Sequence, residues 1–564
     1  MARKPSYLQF GNNEIPPPFS LAVLSFQHAA IVLINLVYVL IITKALNISG
    51  NAQLAIMAIT LLAAGVGSIV QAIYGSRLLI IFHANPIYIP MIIAAGYSHG
   101  VPGITVLVVT AGLFEFVFGS AVSKLRALFP PEVCGVVVIM LGVTLLPNSL
   151  RGIVQGAAET TQYVIDADAL KIALLTLATA AGCAVWLKGI PRFFSIFIAC
   201  VMGLILAHLM GYWNNSPLQS SINHSLFSLP SPQIPSFALD EGLILIAAMG
   251  AILNVVGELG TLIGADRLDD ADWRKPDFKK MSRGLQTGGI FTVFSGLLGG
   301  FALGMSVANL SLAYATGASS RMIAIVAGAM LVIVAFMPKL LSLVTMMPDP
   351  VLAGVLIYTA SYFIVSGAEL SMSRVMSPRR AIVIGVSVGI GILLQSTPAF
   401  QDAAKGSAYE HFLAPMTFAT FIAIALNLIM RINISKKEVI TFHKNNSADV
   451  FVEKLERLGE TWGLHRKTLN RATSSIRELA ELLSGVCDGN LTCTIENNDL
   501  YLFLTFRYSG EEIRIPENAP TADELLHDPK SVPTMSGWII KTLSDRVEVT
   551  SKHGQHEVRI GFEC

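Results

Sequence analysis

Long apolar stretches recur through the first 430 residues of this 564-residue chain, and no other feature limits its fold so strongly. A membrane-crossing helix needs about 20 mostly apolar residues. Such stretches are predicted near residues 19–43, 52–73, 78–98, 103–122, 133–150, 169–187 and 193–212, then 238–264, 284–303, 304–320, 322–338, 349–368, 380–396 and 409–430. The two sets hold seven each, separated by a polar linker, Gly211 to Pro235, without Lys or Arg. The chain is 53% hydrophobic and 14% charged, against about 25% charge in ordinary globular proteins, so membrane insertion is the natural reading.

Charge divides the chain near Ser435. Residues 436–564 hold 16 Lys+Arg and 20 Asp+Glu, and the first 435 residues hold only 23 and 18. The expected organisation is a membrane domain over 1–435 and a soluble α+β domain over 436–564. Cytoplasmic loops are enriched in Lys and Arg. With the N-terminus inside, seventeen basic residues, from Arg3 and Lys4 to Arg379 and Arg380, fall on the cytoplasmic side. Five, Lys44, Arg151, Lys171, Lys339 and Lys405, fall outside. Both termini are thus expected in the cytoplasm of a multi-pass cell-membrane protein. The start, MARKPSYLQFGNNEIPPPFS, lacks the apolar core of a signal peptide, so the span at Phe19 is expected to act as the insertion signal. A net charge of +1 argues against a nucleic-acid surface. The six cysteines show no paired spacing and are expected to be free, and no cofactor or metal is expected.

Seven spans per half place the halves in opposite orientations if they share a fold, as in transporters built on inverted repeats. Interrupted segments at corresponding places sharpen this. Span three contains His83-Ala84-Asn85-Pro86 and span ten contains Gly304-Met305-Ser306-Val307-Ala308-Asn309, each third in its half. Irregular backbone inside a membrane must be buried in protein or line a cavity, so two facing breaks would make a midplane site. The alternative is that Pro86 kinks a helix and the small residues of span ten allow tight packing.

Ionisable residues within spans are costly and point to function. Those well inside the apolar stretches are His28, His83, Glu115 and Glu258. Glu258 follows Asn254 by four residues, which puts a carboxyl and an amide on one helical face, able to hydrogen-bond a polar heterocycle or carry a proton. A buried network that merely holds helices together is the competing role. Gln27 and His28 add polar side chains to span one, for substrate contact or for orienting a neighbour. Glu115 is either a second coupling group or an interhelical hydrogen-bond partner.

Together, Gln27-His28, Glu258-x-Gly260, RGLQTGGIFTVFSGLLGG and Ala308-Asn309-Leu310-Ser311 through Thr316-Gly317 resemble the nucleobase-ascorbate transporter family from about Pro16 to Met430. The resemblance implies an all-α polytopic protein of 14 spans in a 7+7 inverted repeat, with a core of spans 1–4 and 8–11 and a gate of spans 5–7 and 12–14. It implies ion-coupled (H+ or Na+) symport of a nucleobase and a homodimer through the gate. Substrate-binding roles carry over to Glu258, Asn309, Ala308, Asn85, Pro86, Gln27, His28 and Asn254, and ion coupling to Glu258 and Glu115. Three positions depart from the family pattern. Ala308 stands where relatives have Gln or Glu, Ser311 where Gly is usual, and Leu262 where His or Asp is common. An altered substrate preference is the expected consequence.

The tail reads as two amphipathic helices, a hairpin around Glu496-Asn497-Asn498-Asp499, a helix near WIIKTLSDRV and a final strand near HEVRIGFE. The order resembles the ATP-binding domain of histidine kinases and anti-sigma factors. Its motifs are damaged, however: Glu478 and Glu481 lack the Asn expected four residues on, Tyr508-Ser509-Gly510 replaces Asp-x-Gly, and Ser536-Gly537 retains one glycine of a glycine-rich turn. A regulatory or dimerising role is therefore expected in place of nucleotide binding. Two other classes stay open, an anion carrier of sulfate type and a nutrient sensor signalling through the tail.

Overall fold

The computed structural model describes residues 4–121, 130–150, 152–156, 163–212, 225–231, 237–238, 240–271, 273, 277–372, 376–397, 399–400, 403, 413–430, 436–442, 448–462, 464, 466–487, 491–498, 501–513, 515–516, 518–520, 527, 531–552 and 555–563. Most of the linker between the two sets of spans, the boundary residues at Ser435 and the hairpin residue Asp499 lie outside these. The chain forms two compact units, one of Met1–Ser371 with Ile382–Ile424 and one of Met372–Ala381 with Ala425–Cys564.

The first unit is helical. Its elements are α1 (Pro18–Ile34), α2 (Leu36–Ala45), α3 (Gly50–Ile73), a strand β1 (Phe82–Ala84), a 3-10 turn (Pro86–Tyr88), α4 (Ile89–Ser120) and α5 (Pro131–Leu150). A small hairpin, β2 (Val154–Gly156) and β3 (Tyr163–Ile165), leads to α6 (Ala167–Trp186) and α7 (Ser195–Leu209). There follow α8 (Glu241–Leu268), α9 (Phe278–Leu297), β4 (Leu303–Met305), α10 (Val307–Thr316), α11 (Arg321–Ala335), α12 (Pro338–Thr345), α13 (Asp349–Ser371), α14 (Pro378–Ser396) and α15 (Pro415–Met430). Among the described residues, eight helices are long and apolar enough to cross a membrane, nine if α11 and α12, bent by 84°, count as one span. The helix starts follow from their sequences: the side chains of Asp166, Asp240, Asp277 and Ser320 accept the first backbone N–H groups of α6, α8, α9 and α11.

Two local breaks depart from regular helix where the sequence marks them. Gly100 sits at φ 64°, a left-handed conformation natural to glycine, and splits α4 where spans three and four were expected to meet. Asn35 interrupts the first apolar stretch between α1 and α2.

Helices in this unit meet backbone to backbone. A methyl group added at Gly289 of α9 would lie 2.6 Å from Gly112 O of α4, and one at Gly328 of α11 would lie 2.6 Å from Gly65 O of α3. The same small-residue contact joins α5 to α13 at Gly135 and Gly367, and α6 to α13 at Gly354. Lipid tails are as apolar as leucine, so association within a membrane rests on such close packing. The helices sort accordingly: α3, α4, α8, α9 and α11 pack on one another, and α5, α6, α7 and α13 pack on one another.

The second unit carries a five-stranded antiparallel sheet, ordered β5-β6-β7-β9-β8, from β5 (Lys436–Phe442), β6 (Leu491–Asn497), β7 (Tyr501–Ser509), β8 (Arg546–Lys552) and β9 (Gln555–Glu563). Helices α16 (Ala448–Trp462), α17 (Arg466–Val486) and α18 (Ser531–Leu543) complete it. Leu502, Leu504, Phe506 and Tyr508 alternate inward along β7 and join Leu455, Ile476, Leu479 and Ile560 in one core. Residues Arg546 and Val547, expected in the helix near WIIKTLSDRV, belong to β8. Alternation over Arg546–Lys552 fits a strand that pairs with β9, and that pairing overrides the short helical pattern. Ser536 and Gly537 lie inside α18, so the remaining glycine forms no phosphate-cradling loop.

Candidate functional site

The two breaks meet. β1 pairs antiparallel with β4, aligning Phe82 with Met305, His83 with Gly304 and Ala84 with Leu303. Two further bonds extend this crossing, Asn85 N–H to Ala302 O at 3.1 Å and Ser306 N–H to Ile81 O at 3.0 Å. Pairing satisfies backbone groups that lipid would leave bare. Because the strands run antiparallel, the helical segments after them set off in opposite directions. Pro86 occupies the first position of the 3-10 turn, where its lacking N–H costs nothing.

Side chains fix both breaks. Asn85 Oδ1 accepts from Ile87 N–H at 3.0 Å, and its Nδ2 donates to Asn254 Oδ1 at 2.6 Å. One turn along α8, Glu258 Oε1 accepts the Met305 N–H at 3.0 Å. Ser306 Oγ caps α10 by accepting from Asn309 N–H at 3.3 Å. That leaves Val307 and Ala308 as the leading N–H groups of α10, with no carbonyl a turn below them. Ala308 thus offers backbone where relatives were expected to offer a side chain. His28 Nδ1 and Asn309 Oδ1 lie 2.8 Å apart, which joins span one to the same helix start. Asn35 Nδ2 and His83 Nδ1, 3.2 Å apart, tie the interruption in the first stretch to β1.

The expected site residues therefore gather around one crossing: Asn85, Pro86, Asn254 and Glu258 on it, Ala308, Asn309 and His28 at the start of α10. Gln27 is half-buried beside His28 in α1, with its Oε1 buried and unpartnered. Leu262 is fully buried in a cluster with Phe82, Val255 and Leu285, so it serves packing. Glu115 of α4 is fully buried, and its carboxyl lies beside those of Glu258 and the amide of Asn254. Polar atoms without a partner concentrate here. Among the described residues, Glu258 Oε2, both Glu115 oxygens, His28 Nε2, Asn309 Nδ2 and the Tyr88 hydroxyl are buried and unbonded. Buried polar groups are bonded as a rule, so a cluster of exceptions points to ligands.

Sequence reading held Ser306 and Gly288 only within longer motifs, with no role for either, and missed Tyr88. Ser306 carried a signal, a capping residue just before an apolar run. Gly288 lay inside RGLQTGGIFTVFSGLLGG, but its contact with Glu115 depends on how α4 and α9 pack, and Tyr88 carried no signal.

Comparison with known proteins places this geometry. A family model described as Permease family, for xanthine/uracil permeases, matches residues 19–400. The uric acid permease PucJ of Bacillus subtilis is 26% identical over 441 residues, covering 75% of this chain and 94% of that protein. The xanthine permease XanQ of Escherichia coli is 23% identical over 431 residues, covering 73% and 92%. Among solved structures, the transmembrane domain of a cyanobacterial bicarbonate transporter, BicA, superposes with a TM-score of 0.50 at 17% identity, covering 74% of this chain and 99% of that domain. At that identity the likeness shows the fold alone. With its apolar helices, paired breaks and a family match over most of its length, the chain is a multi-pass membrane protein of the permease family, the nucleobase-ascorbate transporters.

Proposed function

We propose that this protein is a secondary active transporter that carries a nucleobase, such as uracil, xanthine or urate, by alternating access. The observation that carries the reading is the set of unbonded buried polar atoms around the crossing of β1 and β4. Glu258 Oε2 is an acceptor for a ring N–H. Asn309 Nδ2 and the leading N–H groups of α10 are donors for ring carbonyl oxygens, aided by the positive end of the helix dipole. A base carries both kinds of group on one edge. The permease relatives named for uric acid and xanthine support the same class.

In this reading the 14 spans form a 7+7 inverted repeat, and the crossing is its midplane centre. The packing of α3, α4, α8, α9 and α11 against one another supports a core, and that of α5, α6, α7 and α13 supports a gate. Both termini are cytoplasmic, the gate forms a homodimer, and Glu258 with Glu115 couples transport to H+ or Na+. The tail over 436–564 is a regulatory or dimerising module.

Reconstitution of the full chain into liposomes tests this. Labelled uracil, xanthine, urate and adenine are offered with a pH gradient, with a Na+ gradient and with neither. Gradient-driven uptake of at least one base, lost in Glu258→Gln, is expected. Full uptake by that variant would remove Glu258 from binding and coupling. Deleting 436–564 is expected to leave uptake intact; binding without uptake in the full chain would mark a sensor.

A further inference from the structure

We propose that Glu115, Glu258 and Tyr88 form the seat of a monovalent cation, a proton or Na+, and that Gly288 keeps that seat open. The proposal deepens the ion-coupled reading above by assigning the ion's ligands.

Three elements deliver the groups. Glu115 comes from α4, Glu258 from α8 and Tyr88 from the 3-10 turn after the first break. Tyr88 is fully buried, its hydroxyl is unbonded, and its ring packs against Gly250 of α8, one turn before Asn254. Fourth comes α9, which contributes no side chain. A methyl group at Gly288 would press on Glu115 Oε1 and lie 3.2 Å from Glu258 Oε2. The bare glycine is therefore what lets the two carboxyl groups meet.

No cationic side chain among the described residues balances them. Among the described residues no Lys, Arg or His pairs with either carboxyl. Around them stand Asn254 of α8, the backbone of β4 and the Phe82 ring, while His83 of β1 is bonded to Asn35. Two carboxyl groups together within a membrane protein demand positive charge from elsewhere. Carboxyl, phenol and amide oxygens are hard ligands, suited to Na+ as well as to a proton.

Glu258 links this seat to the transport site. Its Oε1 holds the Met305 N–H of the second break, and its Oε2 faces Glu115. A hydrogen bond to a charged acceptor is roughly twice as strong as one to a neutral acceptor. Placing a cation on Oε2 therefore weakens the hold on Met305, so ion occupancy reaches the start of α10 through one side chain.

Thermal unfolding of the purified full chain, without substrate, tests the seat. Na+ is raised against choline at constant ionic strength and fixed pH, and pH is varied separately in Na+-free buffer. The wild type is expected to gain stability with one of the two, which names the cation. Glu115→Gln is expected to abolish that response. Gly288→Ala and the isosteric Tyr88→Phe are expected to raise the half-saturating cation concentration by roughly tenfold, the scale of one lost ligand. If Gly288→Ala does not fold, Tyr88→Phe and Glu115→Gln decide. A wild type indifferent to both cations, or variants that respond as the wild type does, overturns the seat. Failure to carry any base in liposomes would instead overturn the transport reading and leave this result standing.

Discussion

The two breaks at the centre of the membrane unit are secured by different chemistry. The first, at Asn85-Pro86, is held by neutral amides: Asn85 bonds Ile87 N–H, Ala302 O and Asn254. The second, at Met305-Ser306, hangs on ionisable partners, with Glu258 on Met305 N–H and His28 against Asn309. A neutral lock keeps its strength whatever ion is present. A carboxylate lock does not, so the second break is the one whose geometry can answer to an ion. The first is its fixed counterpart.

Glu258→Gln attacks this contrast most directly. Base uptake is expected to fall by roughly 10- to 100-fold, the effect of losing a hydrogen bond to a charged group worth about 1.5–3 kcal/mol. Uptake equal to wild type in liposomes would show that the second break needs no charge.

On the other side, Asn254→Ala strands the buried Nδ2 of Asn85. A loss of about 1–3 kcal/mol in stability is expected, read as a lower unfolding temperature in detergent. An unchanged unfolding temperature would mean that the amide pair does not hold the first break. Ser306→Ala removes the α10 cap and should cost about 1 kcal/mol in the same assay.

The smallest effect on stability is expected for Ala308→Gln, which adds an amide at the start of α10. Stability should hold, while the ranking of bases in competition uptake shifts by about tenfold for the best responder. An unchanged ranking would place substrate away from α10.

Much of this was legible along the chain because it is local. Apolar length marks spans, Asn-Pro and the Gly304–Asn309 run mark breaks, and one helical turn puts Asn254 and Glu258 on one face. The tail's hairpin and two long helices follow from periodicity in the same way. The β5 strand and the Arg546–Lys552 strand were missed: both are edge strands, each fixed by the one neighbour it pairs with.

The sequence by itself determined that this is a membrane protein with two interrupted segments and a polar α8. Tertiary structure alone decided that β1 pairs with β4, that Glu258 grips the backbone of β4, and that Glu115 meets Glu258 over Gly288. Those contacts join positions up to about 220 residues apart. No local pattern encodes them, since they arise from helix backbones that approach closely wherever glycine lets them.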